Sequence, residues 1–161
     1  MYLDALEFLE EERDAWAPFE ALAGLTDEQL ATAIPAAHGW SGRDLMAHLL
    51  AWQDVALRAA RELAVDEDSP TIQRADADWE ARGGEVINAE LTEAWSARPM
   101  SDLRASFASL PGELRGTLTV VPETRWLKHA DHQQWFHDET IAHYEDHEAD
   151  LRAILSQAGG G

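Results

Sequence analysis

Apolar positions recur at intervals of three and four through most of the chain, the period of a helix with one buried face. Leu6, Leu9, Arg13, Trp16 and Phe19 predict a first helix within residues 3–22 that Pro18 kinks or ends. Thr26 with Gln29 forms a capping-box pattern that starts a short helical turn through Leu30 to Pro35. Ser41 with Asp44 repeats that signal and places the next start at Gly42, after which Leu45, Leu49, Trp52, Ala56, Ala59 and Leu63 mark a long buried stripe. The polar, proline-ended run 65–70 reads as a loop. Trp79, Val86, Ile87, Leu91, Ala94 and Trp95 resume the helical period, with a break or kink at Gly83-Gly84. Ser101 is the expected N-cap of a helix carrying Leu103, Phe107, Leu110, Leu114 and Leu118, kinked at Pro111-Gly112. The only β-like run, Leu118-Thr119-Val120-Val121, falls in an expected loop over 117–126. Residues 133–157 then predict one helix with Trp135, Glu139, His143, His147, Leu151, Ile154 and Leu155 along one side.

Long helices without a pair of patterned strands predict an all-α fold. The expectation is a single-domain four-helix bundle over residues 1–157 with long connections, and a flexible Gly-rich tail over 158–161. Trp16, Trp52, Trp95 and Trp135 sit at helical spacing as core residues. Trp40, Trp79 and Trp126 fall near helix ends, where they pack into the core or line a pocket mouth.

Composition removes several functions. With 161 residues and 45% hydrophobic content the chain can build one proper core. There is no cysteine, which excludes disulfides, thiolate metal sites and a protein thiol nucleophile, so any sulfur chemistry requires a thiol from solution. A net charge of -19, with basic residues scattered and Lys128 the only lysine, repels phosphate backbones and anionic membranes and excludes a nucleic-acid ligand. No apolar run is long enough to span a bilayer, and the acidic N-terminus lacks a signal-peptide pattern, so a cytoplasmic protein is expected.

The candidate chemistry lies in histidine. His48 is three residues after Leu45 and four before Trp52, so it points inward, where each ring nitrogen needs a partner. His143 and His147 are four apart on a predicted helix, which puts their Cβ atoms about 5–6 Å apart on one face. In a bundle the inward face of the second long helix can meet that of the last, and three neutral imidazoles suit zinc, nickel, copper or iron with a position open for a further ligand. Glu139, Asp146 and Asp150 are at hand to orient an imidazole. His129, His132 and His137 could complete or compete for such a centre, and His38 is given no role. The plainer alternative is that these histidines hydrogen-bond to acids and hold no metal.

Trp40-Ser41, Asp44-Leu45, His48-Leu49 and Trp52, together with His143-Tyr144-Glu145-Asp146-His147, resemble the DinB-like four-helix bundles. This superfamily includes YfiT-like metal-binding proteins, mycothiol-dependent maleylpyruvate isomerase and the ClbS/DfsB-like proteins. The resemblance spans nearly the whole chain, is specific at these two motifs, and places the family's metal ligands on His48, His143 and His147. It implies a divalent metal, zinc or nickel foremost, and an external low-molecular-weight thiol. The function implied is thiol or water activation for transfer, isomerisation or hydrolysis of a small electrophilic molecule, in detoxification or a stress response, with a homodimer as the assembly. The other branch implies a metal-free bundle that binds or sequesters a small molecule.

Overall fold

The computed structural model describes residues 2–160. Asp4 accepts from the Glu7 amide and starts helix α1, Ala5–Trp16. Pro18, which has no amide hydrogen to donate, lies at the start of a tighter 3-10 segment, Ala17–Gly24, so the regular helix ends at Trp16, before residue 22. The Thr26–Gln29 capping box opens α2, Asp27–Ala31, with both reciprocal hydrogen bonds in place. A short turn, Pro35–Ala37, then leads through His38 and Gly39, both at positive φ, to the next helix.

Helix α3, Gly42–Val65, starts at the expected residue: the Asp44 amide donates to Ser41 Oγ and the Ser41 amide donates back to the Asp44 carboxylate. Sixteen of its twenty-four residues are buried, which marks it as the central rod of the bundle rather than a surface helix with one apolar stripe. A side chain at Gly42 would meet Leu30 at 2.8 Å, so glycine here allows α2 to close on the start of α3.

The periodic segment after the loop is two helices, α4, Pro70–Arg82, and α5, Gly84–Ser96. Gly83, at φ 84°, makes the break, in a region that favours glycine. Helix α6, Met100–Val120, corrects two expectations. Its N-cap is Pro99, not Ser101, which lies inside the first turn. It also runs through Pro111 and past Leu118, so the expected β-like loop is its last turn: buried Leu118 continues the apolar stripe, and packing overrides the β-branched preference of Thr119 and Val120.

The C-terminal segment is not one uniform helix. It comprises α7, Ala130–His137, a π-helical segment, Asp138–Ala142, α8, His143–Asp146, and α9, Glu148–Gly160, with His147 leaving helical geometry between the last two. The residues expected as a flexible tail are helical as far as Gly160, and Gly161 lies outside the described residues.

Helix α3 packs along α5 and α6, while α1 packs against α6, the π segment and α8. The bundle is thus α1, α3, α6 and the composite C-terminal helix, with the α4–α5 pair as a long connection folded over α3. No strand occurs among the described residues. Among them, no helix is long and apolar enough to cross a membrane. Inside the bundle, Arg115 Nε donates to Glu12 at 2.5 Å, the Tyr144 hydroxyl donates to the other Glu12 oxygen at 3.0 Å, and the Gln53 amide donates to Tyr144 Oη at 3.0 Å.

Candidate metal centre and its cavity

The Ser41 cap sets the phase of α3 and turns His48 inward, where it is 3% exposed. The π segment adds a wide turn immediately before His143, and such turns re-aim the side chains that follow them. His143 Nε2 then lies 2.8 Å from His48 Nε2, one imidazole donating to the other. One ring nitrogen from each of His48, His143 and His147 lies within 4.8 Å of the other two. The three predicted histidines are thereby brought together.

Their outer nitrogens are treated unequally. His48 Nδ1 is 3.1 Å from Thr92 Oγ1 on α5, and His147 Nδ1 is 3.0 Å from the Asp150 carboxylate. The other Asp150 oxygen holds His38 Nδ1 at 2.9 Å, so His38, given no role from sequence, anchors the residue that orients His147. His143 Nδ1 is buried with no partner. Trp40 stacks on His147, with ring centroids 5.6 Å apart and planes 18° from parallel, and also leans on His48.

Burial pulls the His48 imidazole down to about 4, helped by His147 beside it. Burial and the neighbouring His48 and His147 hold His143 well below the usual histidine range. Both are therefore neutral at physiological pH, the form that ligates metals. Nδ1 of His48 and His147 is engaged by oxygens, which leaves Nε2 as the ligating atom of each, that of His48 in exchange for its hydrogen bond to His143 Nε2, and a hydrogen bond on the outer nitrogen is the usual support of a metal-bound imidazole. Nitrogens sharing a tetrahedral zinc stand about 3.3 Å apart. The 2.8 Å pair is close to that spacing, and the residues fit a three-histidine ion site. Glu139 and Asp146, expected as candidates to orient an imidazole, instead line the adjoining cavity, and the carboxylate on a site histidine is Asp150.

The other histidines serve elsewhere. His129 caps α7 by accepting from the His132 amide, and His132 Nδ1 donates to the Arg125 carbonyl at 2.6 Å. His137 lies 3.6 Å from the Asp138 carboxylate and against Tyr2. None of the three belongs to the cluster.

The cluster forms part of the wall of a cavity of about 700 Å³. Four indoles line it, from Trp40, Trp52, Trp79 and Trp135, whereas Trp126 is fully buried elsewhere. Trp52 donates to Asn88 at 2.8 Å, which fixes its ring at the cavity. Asp76, Glu80, Asp138, Glu139 and Asp146 also line it. Burial, with Asp138 and Asp76 nearby, pushes the Glu139 carboxyl up to about 8. Burial also raises Asp76, with the Trp135 indole pulling the other way. Sequence reasoning missed Asp76, Glu80, Asp138 and Thr92, because only the fold brings α4 and α5 to the histidines. The His147-to-Asp150 spacing of three was the one readable signal for a support residue.

Fold and site define a helical bundle with a three-imidazole cluster opening on an indole-lined cavity. The family model of the mycothiol maleylpyruvate isomerase N-terminal domain matches residues 9–152, and the chain belongs to that family, within the DinB-like superfamily. Neither a curated protein nor a solved structure matches the chain.

Proposed function

We propose that His48, His143 and His147 hold one divalent metal, zinc or nickel, and that the chain uses it to activate a low-molecular-weight thiol or water against a small electrophilic molecule. The observation that carries this reading is the convergence of three imidazoles, two of them tethered by oxygens on their outer nitrogens. A metal bound there would supply Lewis acidity and lower the pKa of a thiol or water. Asp150 holds the proton on His147 Nδ1 and keeps that ring aimed at the cluster, Thr92 does the same for His48, and Trp40 packs against both rings. A chain without cysteine must take its thiol from outside, and the cavity has room for a small substrate beside the cluster. The family's name supports a mycothiol-related, isomerase-like activity.

Elemental analysis, calorimetric titration with zinc and nickel, and thermal melts test the centre. One ion per chain is expected, with a melting shift of about 5–10 °C at a hundredfold excess over Kd, absent in H48A, H143A and H147A. No bound ion together with no melting shift rejects it. Thiol consumption with mycothiol and an electrophile, with and without metal, tests the activity.

A second reading is favoured by one observation: the 2.8 Å hydrogen bond lets His48 and His143 partly satisfy each other without an ion. The bundle would then bind a small molecule in the cavity, and the triple histidine-to-alanine variant would keep its affinity for an apolar compound.

A further inference from the structure

The cavity beside the histidines has a definite electrostatic sign. Among the described residues, five acidic side chains line it, of which Glu139 keeps its proton up to about pH 8, and no lysine or arginine does. Among the described residues, Asp76, Glu80, Glu139 and Asp146 form no salt bridge, although Arg58, Arg61, Arg82, Arg104, Arg115 and Arg152 all pair with acids elsewhere. Asp138 has the Gln134 amide at 2.7 Å and His137 at 3.6 Å. Asp76, Glu80 and Asp146 are exposed to solvent where they line the cavity, and carboxylates without a basic partner there oppose an anion and are relieved by a cation.

The second half of the cavity's chemistry is aromatic, and one of its rings is held there by the backbone. Trp79 is 48% exposed and lies over Gly84, where a side-chain carbon would meet its ring at 2.5 Å. The Gly83-Gly84 break therefore makes room for an indole that packing alone would leave loose, and this ring meets Trp52 edge to face, with centroids 5.9 Å apart. Indole faces beside carboxylates are the combination that recognises an organic cation, through ring quadrupole and charge together.

Building on the cavity as the substrate site, we propose that it selects a small organic cation, an amine or ammonium on a flat apolar body, over a carboxylate of the same shape. The electrophile handled by this chain then carries a positive group, which separates it from an acid such as the maleylpyruvate in the family's name.

Phenethylamine and 3-phenylpropionate, matched in size and opposite in charge, provide the test by calorimetry on protein stripped of metal with a chelator, so that the carboxylate cannot bind through an ion. Phenethylamine is expected to bind about tenfold or more tightly than 3-phenylpropionate, and added salt should weaken it. The variant carrying D76N and E80Q should lose about tenfold for the amine. E28Q, at an exposed carboxylate on α2, should lose nothing, which separates the cavity from the general field of the acidic chain. Equal affinities, a preference for the carboxylate, no binding of the amine, or an amine affinity untouched by the double variant would each overturn the proposal. Zinc stoichiometry on the same samples reports separately on the metal reading, so either can fail alone.

Discussion

Two buried polar clusters share the same helices and behave in opposite ways. Tyr144 and His143 are neighbours in α8, and Gln53 follows His48 by little more than a turn of α3. In the first cluster, Glu12, Arg115, Tyr144 and Gln53 bond to one another, with Gln53 Oε1 and Arg115 Nη2 buried without partners. In the second, three imidazoles point ring nitrogens at a shared space and open on a cavity. A cluster whose bonds run between its own members ties α1, α3, α6 and α8 together. One that converges on a gap is built to receive a ligand. Both are polar and largely buried, and the direction of the donors and acceptors separates them.

Removing one member should make the contrast measurable. Glu12→Ala leaves the partly buried Arg115 guanidinium without its charge partner and should cost about 3 kcal/mol in urea unfolding, with zinc affinity unchanged in the folded fraction. His143→Ala removes a ring whose Nδ1 already lacks a partner and should cost about 1 kcal/mol in the metal-free protein, yet abolish zinc binding. Equal costs for the two would erase the distinction between a structural and a ligand-directed cluster.

The support around the histidines gives a smaller effect. Asp150 is 5% exposed and bonds both His147 and His38. Asp150→Asn keeps the shape but can no longer accept at both oxygens, and zinc affinity should fall about 10- to 100-fold in a competition titration against a chelating dye. An unchanged affinity would mean that His147 is aimed by Trp40 stacking alone.

How much of this was legible in the sequence follows from how local each signal is. The capping boxes at Thr26 and Ser41 depend on residues three apart, and both form as expected. The stripe of α3 is equally local, and with its cap it fixed His48 as an inward histidine. The π turn and the break at His147 were not readable, because the 133–157 stripe fits an unbroken helix and only tertiary packing selects the wider turn. Ser101 failed as a cap because Pro99 had already set the start of α6. The acidic wall needs α4 beside the C-terminal helix, a contact between residues some sixty apart.

The smallest expected effect is in the pH dependence of the metal-free protein, where both clusters contribute. His48 titrates near 6.5 when unfolded and about 4 when folded, so below pH 6.5 the unfolded chain takes a proton that the folded one refuses, and stability falls as pH drops toward 4. Burial holds His143 down in the same sense. Glu139 runs the other way: its carboxyl titrates at about 8 in the fold against 4.5 when unfolded, so the folded chain keeps a proton through that window and stability falls as pH rises across it. Burial raises Glu12 too, although Arg115 opposes the shift. E139Q should therefore flatten only part of the alkaline decline in melting temperature between pH 5 and pH 8.5 and leave the acid decline intact. The remaining alkaline slope belongs to Glu12 in the sealed cluster and to Asp76 in the cavity, both raised by burial. An alkaline limb unchanged in E139Q would place the whole effect in Glu12 and Asp76 and leave Glu139 ionised throughout.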